Sequence, residues 1–189
     1  MFKLSMKKII FLLLISAFFI SCNSEILPKP KSYLKLQYPK TTYNRLNADC
    51  PFLIEISNYA TVDIQENCWM SINYPTMNAK VHITYRKVDN NLMEILKEIE
   101  KLTFEHTVKA DAIPDARPYE DFNKKVYAKL YNIEGNVATN IQFRVTDSIN
   151  HVLAGALYFY AKPNYDSIMP AVKYIENDII HLVETLNWK

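Results

Sequence analysis

The C-terminal stretch "SIMPAVKYIENDIIHLVETL", Ser167 to Leu186, places Ile168, Ala171, Val172, Ile175, Ile179, Leu182, Val183 and Leu186 at helical spacing. This is one apolar stripe along a long helix, and it must lie against an apolar surface over its whole length. Ser167 is a suitable N-cap, and Pro170 would then fall in the first turn, where its missing N–H costs little. The surface the helix needs is written upstream with a different period. In "KVHITYR", Lys80 to Arg86, Val81, Ile83 and Tyr85 alternate with Lys80, His82, Thr84 and Arg86. That is the pattern of a strand with one buried face.

Further strands flank this one. "FLIEIS" (Phe52 to Ser57) and "ATVDI" (Ala60 to Ile64) read as short strands around an Asn58-Tyr59 turn. "CWMSINY" (Cys68 to Tyr74) alternates, and Pro75 ends it. Then the period changes: Leu92, Ile95, Leu96, Ile99, Leu102 and His106 predict a helix from Leu92 to His106, with Asn91 and Glu94 as a capping pair. A long irregular stretch with Pro114 and Pro118 follows. "KVYAKLYNI" (Lys125 to Ile133) and "NVATNIQFRVT" (Asn136 to Thr146) meet across Glu134-Gly135, a tight hairpin signal. In the second of these Val137, Thr139, Ile141, Phe143 and Val145 share a face. "HVLAGALYFYA" (His151 to Ala161) is apolar on both faces, as a central strand is. The order predicts an α+β fold, a mainly antiparallel sheet with two amphipathic helices packed on it. It resembles the PsbP-like sandwich.

The N-terminus carries a separate message. Lys3, Lys7 and Lys8 precede "IIFLLLISAFFI", Ile9 to Ile20, an apolar run of about a dozen residues where a membrane span needs roughly 20. It fits the h-region of a secretory signal peptide. Small Ser21 then precedes Cys22, which resembles a bacterial lipobox, although Phe19 stands where Leu is usual. A buried N-terminal helix of a cytosolic protein is the competing reading. The domain plan that follows is a signal peptide over 1–21, a lipid-anchored tether rich in Pro and Lys over 22–49, and one globular domain over 50–189. Pro28, Pro30 and Pro39 deny the tether regular helix. Cleavage also alters the charge. The chain has 22 basic and 20 acidic residues, and losing Lys3, Lys7 and Lys8 leaves 19 against 20. No basic excess remains to argue for a nucleic-acid partner. In an oxidising compartment Cys50 and Cys68 are expected to pair, closing a loop of about 18 residues worth roughly 3 kcal/mol; two buried free thiols are the alternative.

The search for chemistry returns little. With only two glycines, Gly135 and Gly155, no P-loop, GxGxxG or GxSxG can be written. HExxH and CxxC are absent, and no cofactor is expected. His82, His106, His151 and His181 are scattered. Glu105 and His106, with Asp111 or His82, would supply the types a metal or acid–base site uses. Equally, His106 falls on an apolar stripe, where a ring fills space. The long irregular segment makes Glu105, His106, Asp111 and Arg117 a candidate binding loop. Thirteen tyrosines stand out. Tyr33, Tyr38 and Tyr43 stud the tether, and docking onto the protein's own domain or onto a partner explains them equally well.

"CWMSINYP", "KVHITYR", "LTFEHTVKADAI" and "LYFYAKPNYDSIMPAVKYIENDIIHLVETLNWK" resemble the GldD family of gliding-motility lipoproteins of Bacteroidota, from Cys22 to Lys189. The resemblance implies a lipoprotein needed for gliding, working alongside the type IX secretion machinery, with no catalytic residues to carry over. It places the palmitate-bearing lipid anchor on Cys22. It also implies a cell-envelope location, at the periplasmic or surface side of the outer membrane, with the membrane and other gliding and secretion proteins as partners. Two readings follow. One is a non-enzymatic accessory or scaffold protein; the other is an envelope enzyme or small-ligand binder using the loop from His106 to Arg117.

Overall fold

The computed structural model describes residues 38–105, 110–160 and 164–189. Its centre is a seven-stranded antiparallel sheet in the order β4-β5-β6-β10-β9-β8-β7. These are β4 (Thr61–Ile64), β5 (Met70–Tyr74), β6 (Ala79–Lys87), β7 (Arg117–Asp121), β8 (Val126–Asn132), β9 (Thr139–Thr146) and β10 (His151–Phe159). Three shorter strands precede them: β1 (Tyr43–Arg45), β2 (Phe52–Leu53) and β3 (Glu55–Ser57). The helices are α1 (Leu92–Phe104) and α2 (Tyr165–Thr185), and β11 (Asn187–Trp188) closes the chain. Pairs β1-β3 and β2-β11 form two small antiparallel sheets. The α+β class follows as the sequence predicts, and β10 lies in the middle of the sheet.

Register explains the layers. Leu153, Gly155 and Leu157 of β10 stand opposite Tyr85, Ile83 and Val81 of β6, and opposite Val145, Phe143 and Ile141 of β9. Met70 and Ile72 of β5 continue the row beside Ile83 and Val81. These residues share one core with Val172, Ile175, Ile179, Leu182, Val183 and Leu186 from the stripe of α2, and with Phe52, Ile54 and Ile56. Because side chains alternate along a strand, Val152 faces the other way. There it packs with Val88 and Ile95, beneath α1. The sheet is thus covered on its inner face by α2 and the short strands. Among the described residues, its outer face is covered by α1.

Several expectations are corrected. The strand expected over Phe52 to Ser57 is broken at Ile54, since β2 and β3 pair with different partners. The helix expected to reach His106 ends at Phe104, and His106 lies outside the described residues. The stretch read as irregular contains β7 despite Pro118; β7 is an edge strand, where a missing N–H is tolerated. Glu134-Gly135 does not form a tight hairpin. Glu134 instead exchanges backbone bonds with Ala112 and Asp111, and Gly135 sits at φ +107. Asn140, only 2% exposed, donates to the carbonyls of Ile133 and Gly135 across the wider loop. The cap of α2 is Asn164 rather than Ser167. Pro170 therefore falls in the second turn, with no N–H to give the Asp166 carbonyl one turn back.

Residues 38–49, expected from the sequence to belong to a tether, instead pack with the domain. They belong to the same compact unit as the rest of the domain. β1 is paired to β3, and the Asn58 N–H donates to the Thr42 carbonyl at 2.9 Å. Short strands and tyrosines gave this segment no strong local pattern; contacts with α2, far along the chain, decide its place. Cys22 lies outside the described residues.

Candidate functional site

The part of the outer face that α1 leaves open is a cleft of about 510 Å³. Its floor is shallow in side chain. Ala154 and Ala156 of β10 point into it, and the smallness of "AGA" in the central strand makes the hollow. Thr84, Arg86 and His82 enter from β6, on the polar side of the alternation that buries Val81 and Ile83. Ile99 and Leu102 overhang from α1, with Glu105 just past its end, and Tyr158 and Trp69 stand at the rim.

Several polar groups in the cleft are held by a second one. His82 Nδ1 is 3.0 Å from the hydroxyl of Ser71, its cross-strand neighbour, and its ring meets Tyr158 edge-on at 5.5 Å. Burial, and then the charge of Lys80, push the His82 imidazole below its ordinary pKa of 6.5. The ring is therefore neutral at neutral pH. Arg86 makes a two-pronged contact with Glu98 of α1, at 2.5 and 3.0 Å. That hydrogen bonding raises the Arg86 pKa and lowers that of Glu98. Thr103 Oγ1 lies 2.8 Å from Gln142 Oε1 and 3.0 Å from the Ile99 carbonyl, so one end of the Gln142 amide is fixed. The Trp69 indole N–H is taken by the Tyr85 carbonyl at 3.1 Å; the residue is 45% exposed, and its ring face is what it offers.

The Ser71–His82 contact has the separation of a nucleophile–base pair. Ser71 is only 5% exposed, however, and among the described residues no carboxylate bonds His82 Nε2 to orient it. Among the described residues no group of three or more His, Cys, Asp or Glu could hold a metal.

A second polar cluster lies on the inner face, under the N-terminal strap of residues 38–45. Asp178 interrupts the stripe of α2, is 5% exposed, and accepts from Tyr43 at 2.9 Å and Tyr74 at 3.1 Å. Burial raises both phenols, with Asp178 adding to it; Tyr43 is pushed up to about 12 and Tyr74 further still. Tyr43 also stacks on His181 at 3.6 Å, and His181 meets Glu55 at 2.8 Å. Tyr38 stacks on Tyr174, whose hydroxyl donates to the Pro39 carbonyl and accepts from Thr41. Tyr38 and Tyr43 thus dock onto the chain's own domain.

The candidate loop is not gathered into one site. Glu105 lines the cleft on the outer face, 4.0 Å from Lys101. Asp111 is bonded through its N–H to Glu134 beside the β8–β9 loop. Arg117 opens β7 and pairs with Glu176 of α2, on the inner face. His106 is outside the described residues. Sequence reasoning missed Trp69, Gln142 and Asp178. For Trp69 a signal existed: it has the parity of Ser71 and Asn73, which puts a large ring on the polar face. Asp178 is an acid placed on an apolar stripe, which only a buried partner permits.

The Cys50 and Cys68 sulfurs lie 2.15 Å apart, with Cα atoms 5.7 Å apart. Cys68 immediately precedes Trp69, so this contact fixes the turn that presents the indole.

No curated protein matches the chain. Among solved structures, cyanobacterial PsbP (CyanoP) from Synechocystis sp. PCC 6803 is similar at 6% identity and a TM-score of 0.49, over 80% of this chain and 95% of that one. That likeness is too slight to argue from. The family model described as gliding motility lipoprotein GldD matches residues 23–188. The chain belongs to the gliding motility lipoprotein GldD family.

Proposed function

We propose that the protein is a lipid-anchored component of the cell envelope that serves gliding motility as an accessory or scaffold, without catalysis of its own. The observation that carries this is where the family match begins. It starts at residue 23, directly after Cys22 at the end of a short apolar run behind three lysines. In this reading residues 1–21 are removed and Cys22 carries the acyl chains, palmitate among them. The residues between Cys22 and the strap are then the tether. Two or more acyl chains hold such a protein stably at a membrane. The site is the outer membrane, at its periplasmic or surface side. The partners are other proteins of the gliding and type IX secretion machinery. The contact between Cys50 and Cys68 is a disulfide in this oxidising space.

The test is crosslinking with mass spectrometry on a tagged chain that sustains motility. Recovery of gliding or secretion envelope proteins supports the scaffold reading, and a functional protein that crosslinks to none of them ends it. The second reading, a small-ligand binder, is favoured by one observation, the cleft under α1. The separation of Glu105 from Arg117 removes it from the loop where it was expected.

A further inference from the structure

We infer that the cleft between α1 and the outer face of the sheet binds a neutral, polyhydroxylated ring, that is, a saccharide unit. This goes beyond the scaffold reading and does not depend on it. The first argument is shape and surface. Trp69 offers an exposed ring face whose N–H is already satisfied, so it is suited to stack against a flat, weakly polar ring face and not to donate a hydrogen bond. Below it the hollow is deepened by Ala154 and Ala156, and about 510 Å³ is in the range of small-ligand sites.

The second argument is charge. Arg86 and Glu98 are bonded to each other at two points and Glu105 adds a second carboxylate, 4.0 Å from Lys101, so among the described residues the lining offers an anion no free cation. A phosphate or carboxylate would have to break that pair. A neutral hydroxyl pair can bridge it, accepting from the guanidinium edge and donating to the carboxylate.

The third argument is the inventory of hydrogen-bonding groups. Among the described residues, Gln142 Nε2 and His82 Nε2 have no protein partner, while their other ends are fixed by Thr103 and Ser71. Donors and acceptors held this way are aligned before the ligand arrives, which lowers the ordering cost of binding. An aliphatic peptide side chain would use the apolar walls and leave these groups without partners. A ring with hydroxyls around its rim and C–H groups on its faces uses both.

The experiment is an NMR titration of the full lipidated chain in a detergent without a sugar head group. The probes are cellobiose, maltose and N,N′-diacetylchitobiose, each up to about 50 mM to reach weak millimolar binding. Saturable shifts of the Trp69 indole N–H and the Gln142 side-chain amide with at least one sugar are expected. Trp69→Ala should weaken that binding roughly tenfold, read at the Gln142 amide. Ala156→Leu, which fills the hollow without removing a contact, should abolish it. Phe122→Ala, at an exposed position remote from the cleft lining, should leave it unchanged. The inference is overturned if none of the sugars shifts these signals. It is also overturned if the shifts survive Ala156→Leu in a folded protein, or if only an apolar dye or leucine-rich peptide occupies the cleft.

Discussion

Individual residues in this fold carry unusual weight where a polar group is buried among apolar ones. Asp178 has two phenol donors from distant parts of the chain, so Asp178→Ala leaves the buried Tyr74 and the half-buried Tyr43 without their acceptor. We expect a loss of about 3 kcal/mol in urea denaturation. Faster hydrogen exchange at Asn58, whose N–H reports the strap, should accompany it. Asp147 makes the opposite use of a carboxylate. Burial alone would raise its pKa, but the N–H groups of Ile149, His151 and Asn150, at 2.8–2.9 Å, outweigh this and hold it below its ordinary 3.8. A depressed folded pKa means that the stabilisation is present above 3.8 and is lost as pH falls through the lower, folded value. Asp147→Asn should remove that acid dependence, as seen by comparing melting temperatures at neutral and acid pH. Gly155 is set by close approach: a Cβ there would stand 2.3 Å from the Phe143 ring. Gly155→Ala should cost about 1–3 kcal/mol, part of it recovered by adding Phe143→Leu.

At the scale of elements, the strap behaves as an added strand held by side chains more than by its short pairing. Tyr43 and Tyr74 must stay protonated to donate to Asp178. Their folded pKa values lie above the unfolded value of 10, so their contribution is complete below pH 10; that of Tyr43 fades as pH rises through about 12, and that of Tyr74 persists to higher pH. Spectroscopic titration of tyrosinate should show these phenols ionising after the exposed ones, together with release of the strap. The turn before β5 is held differently. Reduction of the Cys50–Cys68 contact should cost about 3 kcal/mol by opening the 18-residue separation it closes. Because Cys68 adjoins Trp69, the indole signal should broaden before global unfolding. The strands of the sheet were legible in the sequence wherever one face is buried, as in β6 and β9. Strands β7 and β11, short or interrupted by proline, were not, because their pairing partner and not their own pattern makes them strands.

For the whole molecule, the two faces of the sheet divide the work. The inner face takes up α2, the short strands and the strap through which the chain arrives. The outer face keeps an open cleft under α1. Cys22→Ala should abolish incorporation of a palmitate analogue and release the protein from the membrane fraction, with the melting temperature of the domain unchanged. Loss of membrane association together with unfolding would contradict this division.

The amino-acid sequence alone determined the periods, and with them the α+β class, the central place of β10, the inward faces of β6 and β9 and the long stripe of α2. It also marked Cys22 and ruled out glycine-built phosphate sites. Periodicity is a short-range property, and it needs only neighbouring residues to be read. The tertiary structure alone decided that Tyr43 meets Asp178, that Glu105 and Arg117 lie on opposite faces of the sheet, and that Trp69, His82, Glu98 and Gln142 border one cleft. Those contacts join residues tens of positions apart. They follow from strand order and register, which are settled by how the whole set of apolar faces is buried together.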